Sequence, residues 1–220
     1  MLTGLWPAPS GYGEYAISFD RKRPRRLLVI RALFDEGNKM RHFTVELLRR
    51  LYKAAIDCFL PDLPGTNESL ENLEVQTLNS WQAAMNAAAD HFSATHVLAI
   101  RGGALIAPAH LPNVHYAPAS GATLLRAMLR AQVIVASEAG RKETRDALFA
   151  RGAEDGLRLA GYHIGAQMIS ALETAALTHD DAIEIAQGDV GGGGLWLRAE
   201  PGHDAVQADA LANLVADRVK

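Results

Sequence analysis

The chain has 220 residues, of which 49% are hydrophobic and 21% charged, and its formal net charge at pH 7 is −3. A chain of this length can bury one substantial core, so we expect a single domain over residues 1–220. No basic stripe extends the short cluster at 21–26, which argues against a nucleic-acid-binding surface. Cys58 is the only cysteine, which excludes an internal disulfide and a multi-cysteine metal site.

The remaining composition favours a cytoplasmic protein. The start, MLTGLWPAPSGYGEY, lacks the charged and apolar regions of a signal peptide, and no apolar run reaches membrane-spanning length. The histidines show no spacing that would gather them around a metal. The run GDVGGGG lacks the strand and helix that flank a phosphate-binding loop. We therefore expect no membrane span, no metal and no cofactor.

The predicted elements alternate between strands and helices. Strands are predicted at short apolar runs, which lie at 14–19, 27–33, 55–60, 96–100 and 114–117. The second of these runs is almost continuously apolar, as in a strand buried on both faces. The alternation is typical of an α/β fold with a mostly parallel sheet that is covered by helices on both faces.

Helices are predicted where apolar residues recur at helical spacing, over 40–51, 78–92 and 124–129. Thr77 and Ser120 stand where a side chain caps the following helix. Helix capping is a better interpretation of Ser120 than a displaced nucleophile, because a glycine and an apolar helix follow it.

The last part of the chain is short for this fold. Strands are predicted at 182–187 and 195–198, and a closing helix at 205–219. Parallel neighbours normally need a crossover of a dozen or more residues, which GDVGGGG does not supply. We therefore expect these two strands to form a hairpin in a truncated C-terminal part.

The segment THVLAIRGGALIAP, residues 95–108, has the pattern of a strand, a sharp turn and a helix. The turn that presents a catalytic serine in α/β-hydrolases needs small residues two before and two after its apex. Ala99 and Gly103 hold those positions here, with Arg101 at the apex and Pro108 ending the helix early. Arginine is permanently protonated and cannot form an acyl-enzyme, so the pattern predicts the bend without the nucleophile.

Two further segments match the same fold. DLPGTNES, residues 62–69, resembles the D-x-x-G-x-G-x-S loop of many α/β-hydrolases. Residues 195–219 resemble the final strand, histidine loop and last helix, which puts His203 at the catalytic-histidine position. Asp189 follows a predicted strand and is a candidate for the acid, in the chain order apex, acid, histidine.

A narrower resemblance covers residues 27–175. ALFDEGNKMRH, TLNSW, LAIRGGAL, YAPASGATLLRAMLR and AGYHIGAQMISAL, with DLPGTNES, look like an exosortase-associated family of hydrolase-like proteins. Its members are encoded beside bacterial exosortase and exopolysaccharide genes. The resemblance implies a three-layer α/β-hydrolase-type fold with arginine at the apex. It also implies that Glu36, Asn38 and Lys39, from the element E-x-N-K-x-R, face the substrate side.

Arg101 has two interpretations. As an anion receptor, its guanidinium would act with the backbone N–H of Gly102 and the loop at Leu33 and Phe34, the remnant of an oxyanion hole. As a structural group, it would form an internal ion pair with Asp35 or Glu36 and seal the site. Asn38 also has a structural interpretation, as the cap of the next helix.

The leading functional hypothesis is a hydrolase-like protein without the serine mechanism. It would bind a small anionic or acyl ligand, or a partner protein, and the resemblance links it to exopolysaccharide or exosortase systems. The alternative is an active esterase or thioesterase, in which His203 activates water and Arg101 assists an oxyanion site. A third hypothesis is an interaction module whose exposed sheet edge pairs two copies into a homodimer.

Overall fold

The computed structural model describes residues 2–177 and 181–219. Within these ranges the strands are β1 Leu2–Pro7, β2 Gly13–Phe19, β3 Arg26–Ile30, β4 Asp57–Pro61, β5 His96–Ile100, β6 Asn113–Tyr116, β7 Leu157–Leu159, β8 Tyr162–Ile164 and β9 Ile183–Ile185. Seven of them form one sheet, in the order β1-β2-β4-β3-β5-β6-β9. β1 pairs antiparallel with β2, and β2 with β4, whereas the pairs from β4 to β9 are parallel. β7 and β8 form a small separate hairpin.

Helices connect the parallel strands. Two begin at the predicted caps: the Thr77 side chain accepts a hydrogen bond from the N–H of Ser80, and the Ser120 side chain accepts one from the N–H of Thr123. These bonds satisfy N–H groups that a helix start leaves unpaired. The helices are α1 Phe34–Lys39, α2 Arg41–Lys53, α3 Leu78–His91, α4 Gly121–Glu138, α5 Arg145–Asp155, α6 Ala166–Thr174, α7 Gln187–Val190 and α8 Ala205–Arg218.

The core is divided by the sheet into two apolar layers. On one face β3 packs through Leu28 against a cluster that includes Trp81 of α3 and Leu124 of α4. On the other face Leu27 belongs to a cluster that includes Leu47 of α2. Successive residues of a strand point to opposite faces, so the continuous apolar run of β3 serves both layers. The predicted three-layer α/β architecture is confirmed.

The C-terminal prediction is wrong in two respects. Residues 195–198 are not a strand, because Leu195–Leu197 forms a 3₁₀ turn whose first residue is fully buried. The predicted hairpin is therefore absent: β9 pairs parallel with β6 and is followed by α7. The sequence also gave no prediction for β1, where only Trp6 is buried.

The structure contains no helix, within residues 2–177 and 181–219, that combines the length and the apolar character needed to cross a bilayer.

Candidate functional site

The predicted bend at residue 101 is confirmed. Arg101 has φ 54°, in the left-handed region that side chains other than glycine rarely adopt, and it joins β5 directly to a 3₁₀ helix, Arg101–Ile106. The predicted helix after the apex is thus a tighter 3₁₀ turn. A Cβ atom at Gly103 would lie 2.6 Å from the carbonyl oxygen of Arg31, so the elbow can approach β3 only because this residue is glycine.

The Arg101 side chain turns into the protein and meets Glu36 of α1. Nε donates to Oε2 of Glu36 at 3.0 Å, and Nη2 donates to Oε1 at 3.1 Å, which makes the ion pair bidentate. Nη1 donates to the carbonyl oxygen of Ala117 at 2.6 Å. Arg101 and Glu36 are each 8% exposed. Of the two partners left open by the sequence, the structure selects Glu36.

An aromatic side chain covers one face of the guanidinium. The Cζ atom of Arg101 lies 4.0 Å from the ring centroid of Trp196, which is cation–π contact distance. Trp196 in turn meets Tyr116 edge-on, with 6.2 Å between the ring centroids. The Tyr116 hydroxyl donates to Oε1 of Gln187, which ties β6 to α7. The 3₁₀ turn that replaces the predicted last strand therefore closes over the elbow.

Burial governs the electrostatics of this cluster. It raises the pKa of the Glu36 carboxyl, and the hydrogen bonds and charge of Arg101 oppose that rise. Burial also raises the pKa of Tyr116 to about 12, so the phenol remains a neutral hydrogen-bond donor at physiological pH. The site thus holds a permanent cation with one carboxylate partner in surroundings that disfavour isolated charge.

The loop at Leu33 and Phe34 lies beside the elbow but leaves little open space. Phe34, which starts α1, has φ 54°, and its ring packs 5.5 Å from that of Trp81 and 6.0 Å from that of Tyr162. The cavity that Leu33 and Phe34 help to line is about 10 Å³. A single water needs roughly 10–15 Å³ on this measure, so no larger ligand fits here in this conformation.

The other residues of the E-x-N-K-x-R element have internal partners. Asn38 does not cap the next helix, because Met40 holds the cap position before α2 and no side chain caps this helix. Its amide nitrogen instead donates to the Tyr162 hydroxyl at 2.7 Å, and its oxygen accepts from Nη2 of Arg31 at 3.2 Å. Nζ of Lys39 lies 3.0 Å from Oδ2 of Asp35. Their predicted ligand-binding role stays a prediction.

The two catalytic candidates have other local contacts. The His203 ring packs on that of His42, with 4.5 Å between centroids, and its Nδ1 atom is buried without a hydrogen-bond partner among residues 2–177 and 181–219. Asp189 is exposed in α7, where Oδ2 accepts a hydrogen bond from the N–H of Ala186 at 2.8 Å. No contact joins Asp189 to His203 within the described part of the chain.

Sequence reasoning missed two members of this site. Trp196 lies in a segment predicted to be a strand, and no local pattern indicated that its ring would cover Arg101. Ala117 contributes its carbonyl oxygen from a position directly after β6 with φ 44°. Left-handed residues thus follow β3, β5 and β6 at Phe34, Arg101 and Ala117, and backbone strain of this kind often occurs at active sites and ligand-binding sites.

Comparisons with known proteins support the fold. Est1E from Butyrivibrio proteoclasticus, solved with ferulic acid bound, has a TM-score of 0.60 and 14% identity, over 99% of this chain and 96% of that one. The alpha/beta hydrolase domain-containing protein 10 from mouse has a TM-score of 0.56 and 12% identity, over 100% and 98%. No family model and no curated protein matches the sequence.

Other solved structures match over only part of their length. This chain spans 39% of epoxide hydrolase A from Mycobacterium thermoresistibile, with a TM-score of 0.43 and 12% identity.

The likeness to Est1E and to the mouse protein, together with the strand order, shows that the chain has an α/β-hydrolase-type fold. It has a mostly parallel sheet with the helical layers and the strand-to-turn elbow described above.

Proposed function

We propose that this protein is a non-catalytic member of the α/β-hydrolase fold that binds a small anionic or acyl ligand, or a partner protein. One observation carries the non-catalytic part of the proposal. The residue at the elbow apex is an arginine, and its guanidinium is held by the Glu36 carboxylate, the Ala117 carbonyl and the Trp196 ring. A guanidinium cannot act as a nucleophile, and this one has its hydrogen-bonding capacity largely committed inside the protein.

The surroundings of the elbow support the same proposal. An acyl-transfer site needs a base within hydrogen-bond reach of the group it activates, and a further group that orients the base. His203 is packed on His42, and the Asp189 carboxylate caps α7. Neither side chain contacts Arg101 within the described residues.

A stopped-flow search for a burst with an activated ester, such as p-nitrophenyl acetate, tests the proposal. We expect no burst stoichiometric with protein, and no turnover that differs between the wild type and the variant His203→Ala. His163→Ala is the matched control, because His163 is an exposed histidine in β8. Saturable turnover that His203→Ala abolishes and His163→Ala preserves would establish the alternative, a hydrolase in which His203 activates water.

The biological setting of the proposal comes from the resemblance to the exosortase-associated hydrolase-like family. It supports the proposal that the protein acts alongside the machinery for exopolysaccharide export or protein sorting. Deleting the encoding gene in its host should impair exopolysaccharide output, and a gene that carries Arg101→Ser should fail to restore it if the sealed elbow matters. Unchanged output after the deletion would remove this link while leaving the non-catalytic assignment intact.

A further inference from the structure

A second polar site lies beside the elbow, at the ends of β3 and β4. A cavity of about 230 Å³ opens there between β2 and the start of α2. Its polar end contains Arg31, which follows β3, and Arg41, the first residue of α2. The volume falls just below the range of roughly 300–1,000 Å³ that is usual for small-molecule sites, so it suits a small ligand.

Arg31 is built into this cavity. Its side chain is 11% exposed, and its Nη1 atom lies 3.5 Å from Oδ1 of Asp62. Nη2 donates to Oδ1 of Asn38 at 3.2 Å. The guanidinium packs against Gly37, where an added Cβ atom would come within 2.8 Å of Nη2 and 2.9 Å of Nε. A guanidinium has five N–H donors, and only two of these groups meet acceptors within the described residues, so Arg31 retains donors for a ligand.

Two arginines and two carboxylates line the cavity, namely Arg31, Arg41, Asp62 and Glu68. Asp62 is the only carboxylate that contacts Arg31 among the described residues, and burial raises the pKa of this carboxyl. Arg41 makes no side-chain hydrogen bond or ion pair within the described part of the chain. Arg41 and Glu68 are both exposed, so solvent screens their charges. The N–H donors that Arg31 and Arg41 leave unused, rather than a surplus of positive charge, therefore favour a ligand that accepts hydrogen bonds from both.

The remaining walls are mostly apolar. Tyr15 and Ile17 of β2, Leu60 of β4 and Val45 of α2 also line the cavity. An apolar wall with a few convergent polar groups at one end is the usual design of a small-molecule site. The planar fork of N–H donors on arginine matches the two oxygens of a carboxylate, so the two groups can form a bidentate contact.

We propose that this cavity binds a small organic carboxylate, with its carboxylate on Arg31 and Arg41 and its apolar body against Tyr15, Ile17 and Leu60. This inference rests on the proposed binding function, and it assigns the ligand to a site other than the sealed elbow. Three of the five Arg101 N–H donors bond internally and the Trp196 ring covers the guanidinium, whereas Arg31 donates only two hydrogen bonds and Arg41 none within the described residues.

Isothermal titration calorimetry of the full chain with sodium hexanoate tests the inference, with acetate and 1-hexanol as comparison ligands. We expect one saturable site for hexanoate. Each buried methylene contributes about fourfold in affinity, so acetate should bind at least about tenfold more weakly. The uncharged 1-hexanol should also bind about tenfold more weakly or worse, because it cannot form charge-assisted hydrogen bonds.

Two arginine variants of α2 locate the site. Arg41→Gln should weaken hexanoate binding by about tenfold or more. Arg49→Gln is the matched control, since Arg49 is an exposed arginine of the same helix outside the cavity, and it should bind as the wild type does. Absence of saturable hexanoate binding, equal affinity for hexanoate and 1-hexanol, or an unaffected Arg41→Gln variant would each overturn the inference.

The two proposals fail in distinguishable ways. Missing hexanoate binding, together with the absence of ester turnover, would eliminate this cavity as the ligand site and leave the non-catalytic assignment standing. Turnover that depends on His203, together with normal hexanoate binding, would eliminate the non-catalytic assignment and leave this site standing.

Discussion

Removing one partner of the ion pair between Arg101 and Glu36 should be severely destabilising, while removing both should not be. Glu36→Leu takes away two charge-assisted hydrogen bonds, of 3.0 and 3.1 Å, and leaves a guanidinium that is only 8% exposed. Breaking a buried pair in this way costs about 3–5 kcal/mol in the free energy of unfolding. For a chain of this size the Tm should fall by roughly 6–20 °C.

A double-mutant cycle isolates the interaction. Arg101→Met alone strands the Glu36 carboxylate and should cost a similar amount, whereas Arg101→Met combined with Glu36→Leu should return to within about 2 kcal/mol of the wild type. Urea unfolding followed by far-UV circular dichroism gives the four free energies. Glu143→Ala is the control, because it breaks an ion pair with Arg151, whose side chain is 50% exposed, and should cost no more than about 1 kcal/mol.

The reasoning is refuted if Glu36→Leu costs less than about 1 kcal/mol and the two substitutions are additive. That result would mean that Arg101 is hydrated and accessible in solution, as the anion-receptor interpretation of the sequence requires.

Three other perturbations test the surroundings of the elbow and the buried charges. Arg101→Ser places a hydroxyl at the apex but should give no ester burst in stopped-flow assays, because neither His203 nor Asp189 contacts residue 101 within the described residues; a stoichiometric burst would contradict this. Trp196→Ala should lower the free energy of unfolding in urea by about 2 kcal/mol or more, because the cation–π contact and the aromatic packing are lost. Trp196→Phe keeps an aromatic ring and should retain most of the wild-type stability. Equal stability of the two variants would show that the ring does not stabilise Arg101. Burial raises the pKa of Glu14, which is fully buried, so its folded-state carboxyl holds a proton that the unfolded chain releases, and stability should fall as pH rises through the raised pKa. Glu14→Gln should therefore flatten this fall in stability on the alkaline side of the ordinary glutamate pKa; a wild-type profile that rises there would show the opposite shift.

Local sequence patterns predicted the elements that build the elbow because those patterns have direct physical causes. The apolar run of β3 must be buried on both faces, and Thr77 and Ser120 satisfy backbone N–H groups next to them in the chain. The small residues around Arg101 likewise report a close approach of strand and turn. Each of these signals lies within a few residues of the structure that it predicts.

The partners of Arg101 depend on contacts that are distant in sequence. The choice between Asp35 and Glu36 follows from where α1 begins, since neighbouring residues point about 100° apart around a helix. Trp196 is distant from Arg101 in the sequence and lies in a turn that follows a glycine run. The short apolar run at 195–197 fits a strand as well as a 3₁₀ turn, and only the packing on Tyr116 and Arg101 distinguishes the two.

Hydrogen exchange at the Arg101 side chain measures the closure of the elbow most directly. In ¹⁵N-resolved NMR spectra, the Nε–H proton of Arg101 should exchange far more slowly than that of Arg130, which is exposed and makes no side-chain hydrogen bond within the described residues, and it should lose that protection in Glu36→Gln. An Arg101 proton that exchanges as fast as that of Arg130 in the wild type would show an open guanidinium, available to a ligand, in place of an internally paired one.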